Sequence, residues 1–290
     1  MQLATKFNLV LITVLLIGFA IAGFSSYTIL RKNARQEVLD RAGIMMESAL
    51  AMRSYTVSEV RPLLAAQMKR QFLPQTVPAY AATKTFDKLR RVHPEYVYKE
   101  ATLNPTNPRD RAVEWEADII QAFRNQLDLK EMTGERETVH GRSLYFARPI
   151  QIKQGTCLEC HSVPSAAPES MRKLYGDANG FGWALNEVVG AQIISVPMAV
   201  PIKRAEEALV TFMGTLGGVL LVTVVILNIL LRVVVTNPVT QMAAIAEEVS
   251  KGKLDSPDFQ ALGKNEIAVL GASFNRMRRS LEKAIKMLEE

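Results

Sequence analysis

The sequence predicts an α+β domain held between two transmembrane helices and followed by a helical coiled coil, and three observations predict it. Two apolar runs, residues 9–30 and 209–231, are each long enough to cross a bilayer. Between them, short β-prone segments at 143–152 and 188–200 alternate with amphipathic helical stripes. After the second run, apolar residues return at alternating steps of three and four from Ile267 to Leu288, the seam of a coiled coil.

A chain of 290 residues has room for one or two soluble domains, but the two runs take up part of that length. At about 1.5 Å per helical residue, each covers a hydrocarbon core of about 30 Å. Lys6 and the small-residue site Ala20, Ile21, Ala22 give the first run the outline of a secretory leader. The apolar stretch continues through Gly23, Phe24, Tyr27, Ile29 and Leu30, beyond the short apolar region of such a leader, so an uncleaved anchor is expected. In the second run only Thr211, Thr215, Thr223 and Asn228 are polar. Gly214 and Gly218 form a small-xxx-small pair there, and Asn228 offers an interhelical hydrogen bond, which together predict a parallel homodimer.

Residues 33–68 read as one helix with Val38, Ala42, Met45, Ala49 and Met52 along one face, ending near Pro74 and Pro78. Asn107 is placed to cap a helix whose first residue is Pro108 and whose third is Asp110. Trp115, Ile119 and Phe123 step by four along it, a stripe expected to pack in the core. The strand predicted at 143–152 runs toward Cys157. Gly176, Gly180 and Gly182 then predict tight turns; without a strand-loop-helix fingerprint around them, a phosphate loop is not supported. The strand predicted at 188–200 passes through Pro197 and Pro201 straight into the second apolar run. Beyond it Pro238 opens a helix with Val239, Met242, Ala246 and Val249 on one edge, and Gly252, Lys253 and Leu254 break it. The last helix carries Ile267, Leu270, Phe274, Met277, Leu281, Ala284 and Leu288.

The chemistry is concentrated in Cys157, Leu158, Glu159, Cys160 and His161, a C-x-x-C-H run that uses both cysteines of the chain. Two thiols three positions apart can each add to one vinyl group of a single porphyrin, with the adjacent histidine under the iron as proximal ligand. A redox dithiol does not need the histidine, and a zinc site needs further clustered Cys or His, whereas His93 and His140 stand alone and distant. One covalently attached haem c is therefore expected, on Cys157 and Cys160, with His161 as the iron ligand. For the distal position the candidates are Met52, Met46, Met45, His140 and His93, or water. Each also has a plain structural reading, a helical core methionine or a solvated turn histidine. Trp183 is expected to wall the porphyrin, and Arg53, Arg109 and Arg148 are possible partners of its carboxylates.

The net charge of +6 and pI near 9.3 do not indicate a nucleic-acid partner, because Lys and Arg are mixed with Asp and Glu and form no aromatic-interleaved stripe. Arg31, Lys32 and Arg35, after the first run, would by charge alone lie inside the cell. Thiol-to-haem ligation belongs to the extracytoplasmic side of a bacterial membrane, and long domains translocate largely regardless of charge, so the haem motif overrides that signal. The expected layout is a cytoplasmic tail (1–8), a first transmembrane helix (9–30), a periplasmic domain (31–207), a second transmembrane helix (208–231) and a cytoplasmic helical segment (232–290), in a two-pass protein of the bacterial inner membrane.

Two resemblances follow from these residues. Residues 233–285, with Pro238 as entry proline and Glu266 opening the second helix, resemble a HAMP signalling linker. Residues 96–115, 134–150, 157–161 and 175–200 together resemble a family of bacterial c-type-haem-binding sensor domains long catalogued as of unknown function. That resemblance implies a PAS-like α/β fold with a helical N-terminal section and one haem, joined to signalling modules. The implied function is a non-enzymatic membrane receptor, which detects redox state or a small diatomic ligand and relays it through HAMP. No kinase, cyclase or methyl-accepting segment follows the seam, so output is expected from a kinase or other cytoplasmic partner in trans. The competing readings are a tethered electron-transfer cytochrome and, with His140 or His93 as acid-base group, a peroxidase-like enzyme.

Overall fold

The computed structural model describes residues 3–139, 141–253, 257–260 and 265–289. These fall into two compact units, Thr28–Glu207 and Met1–Tyr27 with Ala208–Glu290. Helix α1 (Leu3–Tyr55) is unbroken from the first apolar run into the soluble domain. Over the run apolar side chains such as Leu9, Leu16 and Phe24 are largely exposed, as a lipid-facing helix requires. Past residue 33 it becomes one-sided: Val38, Ala42, Met46 and Ala49 are fully buried. Met46, not the expected Met45, takes the central place of that stripe.

The α-helical ladder of α1 gives way to a π-helical turn (Thr56–Val60), then to the short helices α2 (Arg61–Leu63) and α3 (Ala65–Met68). After α4 (Pro78–Arg90) and strand β1 (Val97–Thr102) comes a single 3-10 turn (Pro108–Asp110). Asn107 does cap it, accepting the Arg109 N–H at 3.1 Å, but the expected long helix does not start there. Helix α5 (Glu114–Asn125) begins at Glu114, where the Glu116 carboxylate takes the free Val113 N–H at 2.9 Å. Strands β2 (Met132–Thr138) and β3 (Gly141–Gln151) follow, then the C-x-x-C-H helix α6 (Leu158–His161), α7 (Glu169–Tyr175) and strand β4 (Val188–Pro197). β4 ends at Pro197; Ala199 and Val200, expected in the strand, already belong to helix α8 (Ala199–Leu230), whose first turn tolerates Pro201. A second π-helical turn (Leu231–Thr236) leads into α9 (Asn237–Ser250), and α10 (Glu266–Glu289) closes the described chain. Gly252 stands at φ +86° just past α9; Leu254 lies outside the described residues.

The four strands form one antiparallel sheet in the order β1-β4-β3-β2. Leu144, Phe146, Ile194 and Val196 point to one face, where they meet the α1 stripe and Phe86 of α4. Ala147, Ala191 and Ile193 point to the other, against Ile119, Ile120 and Phe123 of α5, the helix that carries the chain from one sheet edge to the other. The core is thus a sheet between helices, the α/β arrangement expected. In the second unit, the Asn8 amide donates to Asn228 Oδ1 at 2.6 Å, so the hydrogen bond foreseen for a partner chain is made within this one. Gly214 and Gly218 have open space beside them.

Phe123→Ala is expected to lower stability by about 3–5 kcal/mol and Met46→Ala by about 2–5, because both leave cavities in a closed core. Leu127→Ala, at a 68 % exposed position, should stay within about 0.5 kcal/mol. Urea unfolding of the detergent-solubilised chain, followed by near-UV circular dichroism, measures all three.

Candidate functional site

The C-x-x-C-H run forms a 3-10 turn (Gly155–Cys157) that passes into the one-turn helix α6. Residues three apart on such a turn share a face, so Cys157 and Cys160 stand together, both half-buried and both free thiols. Burial pushes the Cys160 thiol above its usual range, against the opposing pull of Arg61.

His161 is fixed from several directions. Its Nδ1 donates to the Gly180 carbonyl at 2.7 Å, with Thr106 Oγ1 at 3.4 Å from the same nitrogen. Its ring lies flat on Trp183, centroids 4.0 Å apart and planes 11° off parallel. Its own carbonyl accepts the Trp183 N–H at 3.1 Å, and the Ser162 carbonyl accepts the Gly182 N–H at 2.8 Å. A carbonyl only accepts, so the proton of the neutral ring sits on Nδ1 and the Nε2 lone pair is free for a metal. Burial holds the His161 pKa below the usual histidine range, opposed by the Gly180 hydrogen bond, which keeps the ring in that neutral form. Trp183, expected beside the porphyrin, thus backs the His161 ring.

The loop after β1 makes this grip possible. Asn104 Oδ1 accepts the Gly180 N–H at 3.3 Å, and its amide reaches the Phe181 carbonyl at 3.4 Å. Gly180 sits at φ +84°, and a Cβ there would come within 2.0 Å of Thr106 Oγ1 and 2.7 Å of its Cα. Only glycine fits against the loop in that conformation. Gly180 is marked in the sequence only as a turn former, and nothing there singles out Asn104 or Thr106; what joins them to the His161 segment is contact across 19 to 77 positions.

On the other side lies the end of the first helix. Arg61 of α2 approaches Glu159, between the two cysteines, at 3.8 Å. Arg53 pairs with Glu100 of β1, which is only 4 % exposed. The other arginine candidates have partners of their own: Arg109 pairs with Asp110 at 2.9 Å, and Arg148 with Glu47 at 2.7 Å. Among the distal candidates, Met46 is sealed between helix and sheet, while Met45 and Met52 are partly buried beside that core. His93 is exposed in a turn and pairs with Glu95 at 3.7 Å. His140 lies outside the described residues. Among the described residues no three His, Cys, Asp or Glu side chains converge on a common metal position.

A family model described as Tll0287-like matches residues 31–197, more than half of the chain. The chain belongs to the Tll0287-like family. A HAMP domain follows at residues 230–283, as the entry proline and the two seams indicated. The crystal structure of the cyanobacterial heme-protein Tll0287 is 15 % identical, with a TM-score of 0.44, over 56 % of this chain and 95 % of that one. The sensor histidine kinase WalK of Bacillus subtilis (strain 168) is 28 % identical over 182 residues, 59 % of this chain. The chain spans only 30 % of that kinase. A Tll0287-like domain followed by HAMP, with two helices apolar enough to cross a membrane, is the architecture of a membrane signalling protein.

The Tll0287-like domain offers a direct check on the glycine that holds His161. Gly180→Ala is expected to cost about 1–3 kcal/mol for its backbone conformation alone, and more for the overlap with Thr106. Gly176→Ala, at φ +81° but with open space around it, should show only the first cost. The difference between their urea midpoints measures the contact.

Proposed function

We propose that this chain is a two-pass receptor of the bacterial inner membrane that carries one haem c, bonded through Cys157 and Cys160 with His161 on the iron. The observation that carries the reading is the state of His161. Directly after two free thiols on one helical turn, its Nδ1 is committed to Gly180, and among the described residues its Nε2 has no hydrogen-bond partner. His161 is only partly buried and its Nε2 is not sealed off, so one ring nitrogen is fixed by the protein and the other is accessible, the arrangement a metal ligand needs. The residues present thus fit the group. When bound, haem supplies an iron whose charge changes by one on reduction and an axial position open to an exogenous ligand.

The protein side of the mechanism follows from chain connectivity. Asn104, Thr106 and Gly180 hold the His161 ring, and Arg61 brings positive charge to Glu159 between the two cysteines. Met52, on the last turns of α1, is the distal ligand this reading favours, or water; Met46 is committed to the core. A ligand that leaves suits a receptor, since a stimulus shifts a conformational equilibrium only through different contacts in its two states. Both α1 and α8 run from the sheet domain into apolar spans without a loop. HAMP then relays the change to a kinase or other output protein in trans. The sheet domain is periplasmic in this reading, HAMP cytoplasmic, and the stimulus redox state or a diatomic ligand.

Haem-stained denaturing gels test the attachment. The parent chain should stain, Cys157→Ala with Cys160→Ala should not, and His161→Ala should keep the stain but lose normal low-spin ligation. Full staining of the double variant ends the assignment. If the reduced chain is six-coordinate, refuses CO and opens only when a histidine is removed, the gas-sensing version gives way to redox sensing or electron transfer.

HAMP also implies a homodimer. Leu270, Met277 and Leu281, on the predicted seam of α10, are all largely exposed in the single chain. The opposite side of α10 is covered from within, where Phe259 fits against Gly271 and exchanges two hydrogen bonds with Asn275. Single cysteines at position 270 or 277, in a background without Cys157 and Cys160, should crosslink into symmetric dimers in membranes. A strictly monomeric result would count against the dimer.

A further inference from the structure

On the α1 face of the sheet lies a polar chain inside an otherwise apolar core. Arg53 of α1 pairs with Glu100 of β1; Tyr98 donates to the same carboxylate at 2.7 Å, and Gln192 of β4 donates to the Tyr98 oxygen at 3.1 Å. Glu100, Gln192 and Tyr98 are 4 %, 5 % and 7 % exposed. Burial raises the Tyr98 pKa further, so the phenol stays a donor. Such a pair is poor at stabilising a fold, because desolvation offsets its attraction and apolar side chains of equal volume often do better. Its position suggests another task. Arg53 lies two helical turns before Arg61, which meets Glu159. Glu100 lies four residues before Asn104 and six before Thr106, which hold Gly180 and His161. The Arg53–Glu100 pair therefore joins the two elements that grip opposite sides of the C-x-x-C-H turn.

We propose that the Arg53–Glu100 pair is a positioning and charge-setting element for the group bound at Cys157, Cys160 and His161, biasing it between its oxidised and reduced forms. The inference rests on the haem reading above. Reduction adds one electron, supplied by an external donor, and takes Fe(III) to Fe(II). A positive charge nearby favours that uptake and a negative one opposes it, and both act strongly where water is excluded. Arg53 stands eight positions before Arg61, which approaches Glu159, between the two cysteines, at 3.8 Å.

The signs make this testable by redox titration of the α-band, with dithionite as donor, on membranes containing the whole chain. Arg53→Gln removes the positive charge and should lower the midpoint potential, by about tenfold in the oxidised-to-reduced ratio, or about 59 mV for one electron. Arg53→Lys keeps the charge and should stay near the parent. Glu100→Gln leaves Arg53 uncompensated and should raise the potential. A merely structural role predicts that Arg53→Gln and Glu100→Gln loosen the same packing and move the potential the same way; that result, or no shift in Arg53→Gln, overturns the proposal. Should Glu100→Gln not accumulate, the two Arg53 variants decide: equal shifts in both overturn it, and a shift in the glutamine variant alone supports it. A parent chain without covalent haem on the gel overturns the haem reading instead, before any titration is made.

Discussion

The structure depends on the register of β4. This strand is buried on both faces along nearly its whole length, between β1 and β3, and alternate residues enter different cores. Ile194 and Val196 go under α1, Ala191 and Ile193 under α5. Because the side-chain period is two, a slip of one position would exchange the cores and carry Gln192 away from Tyr98. Registering β4 against β1 also fixes where the loop after β1 emerges, and so places Thr106 and Asn104 beside Gly180. The site is thus set by sheet pairing, although none of its cysteine or histidine residues lies in the sheet.

The local problem at the site is to hold a one-turn helix still. Helix α6 is too short to be stable by itself, since a helical nucleus fixes several residues for one hydrogen bond. Its order comes from outside: backbone bonds to Gly182 and Trp183, the indole against the imidazole, and the Gly180 carbonyl on Nδ1. These contacts orient the His161 ring while leaving both thiols half-exposed.

What could be read from the sequence was local or strongly periodic. The α1 stripe, the α5 stripe, the C-x-x-C-H run and the α10 seam each repeat or cluster within a few residues. Strands β1 and β2 escaped notice for a physical reason. They are the two edges of the sheet, and Lys99, Glu100, Glu135, Arg136 and Glu137 break the apolar alternation that marks a strand. In β1 the charges turn inward and find partners, Glu100 with Arg53 and Lys99 with Glu116 at 2.6 Å, a pairing no linear pattern announces. Pro108 misled in a different way: proline and Asn107 do begin a turn, but the chain leaves it after three residues, and the Glu116 cap starts the helix at Glu114 instead. Gly180 was legible as a turn residue and illegible as the holder of His161, because the second fact needs Thr106, brought there by the β1–β4 pairing.

The two π-helical turns fall where the long helices change duty. One, at Thr56–Val60, follows the last buried turn of α1 and precedes Arg61; the other, at Leu231–Thr236, separates the second apolar span from the HAMP helices. Such turns widen the hydrogen-bond ladder by one residue and gather at functional positions more often than in plain structural helices. The first is anchored by Thr56, buried and bonded to the Met52 carbonyl at 2.7 Å, so the wider ladder starts at the methionine that the receptor reading favours as distal ligand. On that reading the turn has a mechanical meaning. A helix that leaves the α pattern beside its ligand can rewind by a residue without disturbing the buried Val38–Ala49 stripe, and the required energy difference is modest. About 1.4 kcal/mol changes a two-state ratio tenfold, and about 5.5 kcal/mol is enough for a full switch.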